Sequence, residues 1–199
     1  MLDVRQLSRL MIGPVSFKLE DGECVAITGP SGSGKSVLLR AIVDLDPNTA
    51  KSISSGNMLR ADVSAPDWRK KVALLPADSG WWADRVAAHF VKPEKMHIKL
   101  PLVGMPQGAM NWHVPRLSTG EKHRLALLRC LEGEPDVLLL DEPTAALDHD
   151  TTLLIEELLR SLLAKGTSIL IVTHNAKQAS RMASRILHLE GGKLHEVQT

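Results

Sequence analysis

The sequence predicts an α/β fold, with a mainly parallel sheet covered by helices and one short, mostly helical insertion at about residues 78–116. Two observations carry that reading. Short apolar runs alternate with helical patterns, as buried parallel strands and their crossover helices require. A glycine-rich turn, Gly29-Pro30-Ser31-Gly32-Ser33-Gly34, separates the first such run from the first helical pattern. Composition agrees: 199 residues, 44% hydrophobic and 24% charged, suit one globular domain spanning the chain. The formal net charge of +1 supplies no broad basic field for nucleic acid or an anionic membrane surface.

In chain order, Cys24–Thr28 reads as a buried strand, followed by a helix over residues 35–45 that stops before Pro47. Residues 72–75, 137–140 and 168–172 are three further strands. Between the last two lies a helix, with Leu154, Leu158 and Leu162 spaced four apart and Ile155 and Leu159 widening the same face. Lys165-Gly166 marks its end. Residues 186–189 and 194–197 flank Gly191-Gly192 as a closing hairpin. The insertion is rich in proline and glycine, and its periodicity is weak. Five of the six aromatic residues (Trp68, Trp81, Trp82, Phe90, Trp112) fall between positions 68 and 112, and there is no tyrosine. Phe17, the sixth, sits in a strand pattern as a core residue.

Cys24 and Cys130 lie in apolar stretches and read as buried free thiols of a reducing compartment. The first ten residues carry charges at Asp3, Arg5 and Arg9 and no signal-peptide core, and no apolar run approaches bilayer length. The expectation is a cytoplasmic chain, held at a membrane only through another subunit.

Gly29 to Ser36 matches G-x-x-x-x-G-K-[ST] between a strand and a helix. Glycines let backbone N–H groups converge on phosphate oxygens, and the helix N-terminus adds partial positive charge. Lys35 would reach the terminal phosphates and the Ser36 hydroxyl would hold Mg²⁺, with Val37 closing the nucleotide-binding run. A second metal contact must come from an acid at a strand end, and Val137-Leu138-Leu139-Leu140-Asp141-Glu142 supplies one. Asp141 would hold Mg²⁺, and Glu142 would act as general base on a water.

Leu117-Ser118-Thr119-Gly120-Glu121 lies shortly before that strand and has the S-x-x-E pattern of a capping box opening a helix over residues 122–131. Its sequence is similar to LSGGQ, and in this order the motifs resemble the ATP-binding cassette family, the ATP-hydrolysing subunits of ABC transporters. The resemblance runs from about residue 4 to residue 197. It implies that Leu117–Glu121 faces ATP held by a second subunit. It also implies that Ala145-Ala146-Leu147-Asp148 forms the dimer-interface D-loop, and that His174 contacts the γ-phosphate with Glu142 and Lys35 as the catalytic set. The remaining histidines show no metal-ligand spacing.

Three departures from the family pattern stand out. The glutamine expected after residues 72–75 falls at Ala77, which cannot ligate a metal. Asp78 beside it either contributes to the Mg²⁺ site or caps the next turn. The stretch Leu7–Gly13 contains no ring to stack on adenine; Leu10 or Met11 would replace it, and nucleotide preference would be loose. The insertion is short, and Trp81-Trp82 lies where the resemblance places the transmembrane permease, either as an interface anchor or as packing within the lobe. The expected partners are therefore a second cassette and a permease, with no nucleic acid. The rival readings are a soluble ATP-driven dimerisation switch without transport, and a small-molecule kinase that leaves Leu117–Glu121 unexplained.

Overall fold

The computed structural model describes residues 1–197; residues 198–199 lie outside the described part. The chain opens with an antiparallel hairpin, β1 (Leu2–Arg9) and β2 (Ile12–Leu19). Next come β3 (Cys24–Thr28), α1 (Lys35–Ile42), β4 (Ser52–Ser55) and β5 (Met58–Leu59). Then α2 (Ala65–Lys71) leads into β6 (Val72–Leu75). The remaining elements are α3 (Pro93–Met96), α4 (Thr119–Cys130), β7 (Val137–Asp141), α5 (His149–Leu163), β8 (Ser168–Val172), α6 (Ala176–Met182), β9 (Arg185–Glu190) and β10 (Lys193–Val197).

Two sheets result. The larger has the order β10-β9-β3-β8-β7-β6 and is parallel except for the edge strand β10. Its central strands are apolar on both faces because helices or the second sheet cover each side; all five residues of β7 and of β8 are buried. The smaller sheet, β2-β1-β4-β5, is antiparallel throughout. It was not anticipated from the sequence. Its β2 does alternate, with Val15, Phe17 and Leu19 buried, but two register shifts break the pairing of β1, where Gln6 takes a φ of 52°.

Helix α1 stops at Ile42, short of the expected residue 45, because Asp44 enters the left-handed region at φ 58°. Helix α5 ends at Leu163, and the turn that follows closes on Gly166 at φ 95°, as its lysine–glycine signal predicts. The insertion is mostly helical, as expected, but in short pieces, α3 and four 3₁₀ segments, with Pro93, Pro101, Pro106 and Pro115 recurring within it. It is nonetheless packed. Val86, Leu100 and Val103 are fully buried in one cluster with Leu125 and Leu128 of α4 and Leu138 and Leu140 of β7.

Both cysteines are free. Burial pushes the Cys24 thiol up to about 12 and the Cys130 thiol up to about 11. Trp68, which the aromatic count groups with the insertion, belongs to α2. There it is fully buried and its indole N–H donates to the Ile42 carbonyl at 2.9 Å, tying α2 to the end of α1. Trp68→Ala is expected to lower unfolding free energy by about 3–5 kcal/mol in urea titration. A loss under 1 kcal/mol would show that this contact is not structural.

Candidate functional site

The glycine-rich loop leaves β3 and enters α1 through Gly34, which sits at φ 100°. Its geometry demands glycine. A Cβ on Gly29, at φ 142°, would lie 2.2 Å from the Leu189 carbonyl oxygen, and one on Gly34 would lie 2.7 Å from Ile12 Cδ1. Helices α2, α4, α5 and α6 are each capped by a side chain (Ser64, Ser118, Asp148 and Asn175). Helix α1 has no such cap and no acid in its first turn. Its first N–H groups are thus left for an anion. Inside the loop, the Ser33 hydroxyl is buried without a partner. Lys35 folds back so that its ammonium donates to the carbonyls of Gly29 and Pro30, both at 2.8 Å. Burial lowers its pKa, while the charges of Glu142 and Asp141 oppose that shift. Lys35 therefore lies within electrostatic reach of both carboxylates.

Those carboxylates stand at the end of β7, paired in register with β8 so that Asp141 lies opposite Val172. Asp141 is buried; Glu142 follows at φ 52°, its N–H donating to the Val172 carbonyl at 2.9 Å. Glu142 Oε1 is buried without a hydrogen bond and lies 3.5 Å from His174 Nε2. Burial raises the Glu142 pKa, offset in part by the nearby His174 and Lys35 and reinforced by Asp141. A carboxylate so placed is a better proton acceptor than an exposed glutamate. For a divalent cation, the Ser36 hydroxyl in the first turn of α1 and the Asp141 carboxylate are hard oxygen donors and suit Mg²⁺.

The capping box forms as expected. Ser118 Oγ accepts from the Glu121 N–H at 3.2 Å and Glu121 Oε2 accepts from the Ser118 N–H at 2.8 Å. Gly120 has no room for a side chain, since a Cβ there would meet the Ala146 carbonyl oxygen at 2.9 Å and Leu147 at 3.2 Å. Leu117–Glu121 and Ala146–Asp148 therefore pack together within one chain. Asp148 caps α5 by accepting from the Thr151 N–H at 2.8 Å.

Asp78 is exposed after β6, and no hydrogen bond or ion pair joins it to Asp141, Glu142 or Lys35 among the described residues. The two tryptophans behave differently from each other. Trp81 is partly buried, whereas Trp82 is 71% exposed. Both rings lie 4.6 Å from the ring of His89, and the Arg129 guanidinium sits 5.0 Å from each. His89 Nε2 accepts from the backbone N–H of Trp82 and Ala83, so this histidine is a packing residue. A groove of about 750 Å³ beside them is lined by Leu45, Leu74, Pro76, Trp82, Lys92 and Arg129, among others. A second, of about 760 Å³, includes Asp136 and Thr167 just before β7 and β8, at the end of the sheet opposite the glycine loop.

Leu10 and Met11, 72% and 66% exposed, form the tip of the β1–β2 hairpin. The neighbouring Gly13 N–H donates to the Gly192 carbonyl at 2.8 Å, and Ile12 lies against Gly34, so the tip stands beside the loop. Sequence reasoning passed over Thr144 and Gln178, which are joined by a buried hydrogen bond of 2.8 Å. It also passed over Glu156, fully buried and paired with Arg181 at 2.6 Å. A glutamine and an acid inside helical segments carry no motif; the only available signal was polarity on otherwise apolar faces.

A family model described as "ABC transporter" matches residues 12–145. The chain is 35% identical over 202 residues to the Nod factor export ATP-binding protein I of Burkholderia lata, covering 93% of this chain. It spans 64% of that relative's length. It is 38% identical over 194 residues to an aliphatic sulfonates import ATP-binding protein, SsuB 2, of Mesorhizobium japonicum, covering 94% of this chain and 74% of the relative. Among solved structures, it is similar to a dimeric ATP-binding cassette in a post-hydrolysis state bound to ADP and Pi. There the TM-score is 0.82 at 25% identity, over 100% of this chain and 98% of the other. The loop geometry makes a direct prediction. Gly29→Ala is expected to weaken binding of a nucleoside triphosphate about tenfold or more by calorimetric titration; unchanged affinity would remove the loop from the site.

Proposed function

The chain belongs to the ABC transporter family, and on that premise we propose that it is an ATP-hydrolysing subunit energising a separate transmembrane permease. The observation that carries the reading is the convergence of the uncapped α1 N-terminus, Lys35, Asp141, Glu142 and His174 at one end of the parallel sheet. Residues 1–77 and 117–199 serve as the nucleotide-binding core and residues 78–116 as a reduced helical subdomain. Among the described residues no helix is long and apolar enough to cross a membrane; the place proposed for the chain is the cytoplasmic face, held there through its partner.

The roles follow from the chemistry of each position. The loop amides from Gly29 to Val37 bind the phosphates, and Lys35 leaves its two carbonyl partners to reach the terminal ones. Ser36 and Asp141 hold Mg²⁺, which neutralises phosphate charge when bound. Asp78 has no contact that would bring it to this site. Glu142 accepts a proton from water as the water oxygen bonds to the γ-phosphorus; the bond to the bridging oxygen breaks, and ADP and phosphate leave. His174 orients the Glu142 carboxylate and the γ-phosphate. Leu117–Glu121, with its capped helix end, covers ATP held by a second cassette, and Ala146–Asp148 lies at the same interface. The exposed Trp82 beside the apolar groove supports docking of the permease there, with Trp81 and Arg129 fixing its ring.

Glu142→Gln is expected to leave ATP affinity within about threefold of wild type and to lower turnover about 100-fold or more, accumulating an ATP-bound dimer. Turnover at the wild-type rate in a phosphate-release assay would refute the mechanism. At the hairpin tip, Leu10 and Met11 offer an aliphatic surface with no ring, so KM for GTP should lie within about tenfold of that for ATP. A larger preference for ATP would mean that another group reads the base.

A further inference from the structure

We propose that Gln178 is a positioning residue for hydrolysis, which through Thr144 sets the spacing between the Glu142 carboxylate and the His174 imidazole. The inference rests on the assignment of Glu142 and His174 above. The sheet brings these two side chains close but does not itself hold them. The last ladder bond between the two strand ends is the Glu142 N–H to the Val172 carbonyl. Beyond it the two chains part. Glu142 turns away at φ 52° into the segment leading to α5, and Thr173-His174-Asn175 turns into α6.

What rejoins them is Gln178. Its Nε2 donates to Thr144 Oγ1 at 2.8 Å, with Gln178 fully buried and Thr144 9% exposed. It joins the two segments side chain to side chain, alongside the 3.5 Å approach of His174 Nε2 to Glu142 Oε1 and a contact of the His174 backbone N–H with the Glu142 carboxylate. Both ends of the link are short. Thr144 lies two residues after Glu142. Gln178 is in the first turn of α6, its own N–H accepted by Asn175 Oδ1 at 3.1 Å, and Asn175 directly follows His174. A shift of the link therefore passes to both catalytic side chains across a few backbone bonds.

Helix α6 is anchored beside this link. Arg181, one turn on from Gln178, binds the fully buried Glu156 of α5 through two bonds of 2.6 and 2.9 Å, and Arg160 adds a third at 3.3 Å. Burial alone would raise the Glu156 carboxyl, but the hydrogen bond and charge of Arg181, the charge of Arg160 and a contribution from Gln178 hold it below its ordinary value. Helix α6 is thus pinned, and Gln178 projects from it as a fixed arm. The residue type is also unfavourable for packing alone, because Gln178 Oε1 is buried without a hydrogen bond. An apolar side chain of similar length would fill the space without that cost. The amide serves both the buried Glu156 and Thr144, and of these only the bond to Thr144 reaches the segment that carries Glu142.

The test uses steady-state ATP hydrolysis, ADP affinity and thermal unfolding on Gln178→Met, Thr144→Val, the double variant and Thr144→Ser. Methionine keeps the length of glutamine without its donor, valine keeps the shape of threonine without its acceptor, and serine restores the acceptor. Gln178→Met and Thr144→Val are each expected to lower kcat about tenfold while KM and ADP affinity stay within about twofold. The double variant should be no slower than either single one, and Thr144→Ser should recover most of the turnover lost in Thr144→Val. Wild-type kcat in a folded Gln178→Met, a multiplicative loss in the double variant, or no rescue by serine would each overturn the proposal. If Gln178→Met does not fold, the contrast between Thr144→Val and Thr144→Ser decides alone. An inactive wild-type chain, or an active Glu142→Gln, would instead mark failure of the hydrolytic reading itself.

Discussion

Parallel strands that are apolar on both faces must be covered by crossover segments, and every strand then points its carboxyl end the same way. In this chain β3, β8 and β7 are neighbours in that arrangement. The glycine loop, the turn before α6 and the Asp141–Glu142 pair consequently leave the sheet at the same end. Nothing else in the molecule needs to bring them together. The site is a by-product of strand direction, and each local device acts on groups the sheet has already collected: the uncapped α1, the retracted Lys35 and the orphaned Glu142 oxygen.

Those devices share a feature. Each leaves a polar group unsatisfied, or satisfied by something a ligand can displace. Lys35 occupies two carbonyls of its own loop, Ser33 Oγ has no partner, and Glu142 Oε1 stops 3.5 Å from His174. Other polar groups are closely engaged, as in the capping box of Ser118 and Glu121 or the triple engagement of Glu156. Within the site, the unpartnered atoms are the ones a bound ligand could engage.

Sequence legibility differed between parts of the fold. The strands that line the site were readable to within a residue or two because burial on both faces forces uninterrupted apolar runs. Gly29–Ser36 was readable because backbone geometry admits so few residues there. The antiparallel sheet was not, since the bulged β1 breaks alternation and β5 is two residues long. The insertion was legible only in outline. Its periodicity is weak, prolines cut its helical pieces short, and its order comes from packing against α4 and β7. Thr144 and Gln178 escaped notice because a single buried hydrogen bond has no pattern along the chain.

The two cysteines have a practical consequence. Disulfide exchange and alkylation both proceed through the thiolate, and burial holds Cys24 at about 12 and Cys130 at about 11, far from ionisation near neutral pH. Both thiols are thus held in the less reactive neutral form, although Cys130 is only partly buried. One surface cysteine placed on the Trp82 loop or at the hairpin tip would then carry a spectroscopic label without removal of either native thiol. The movements of those two regions could be followed in an otherwise unaltered protein.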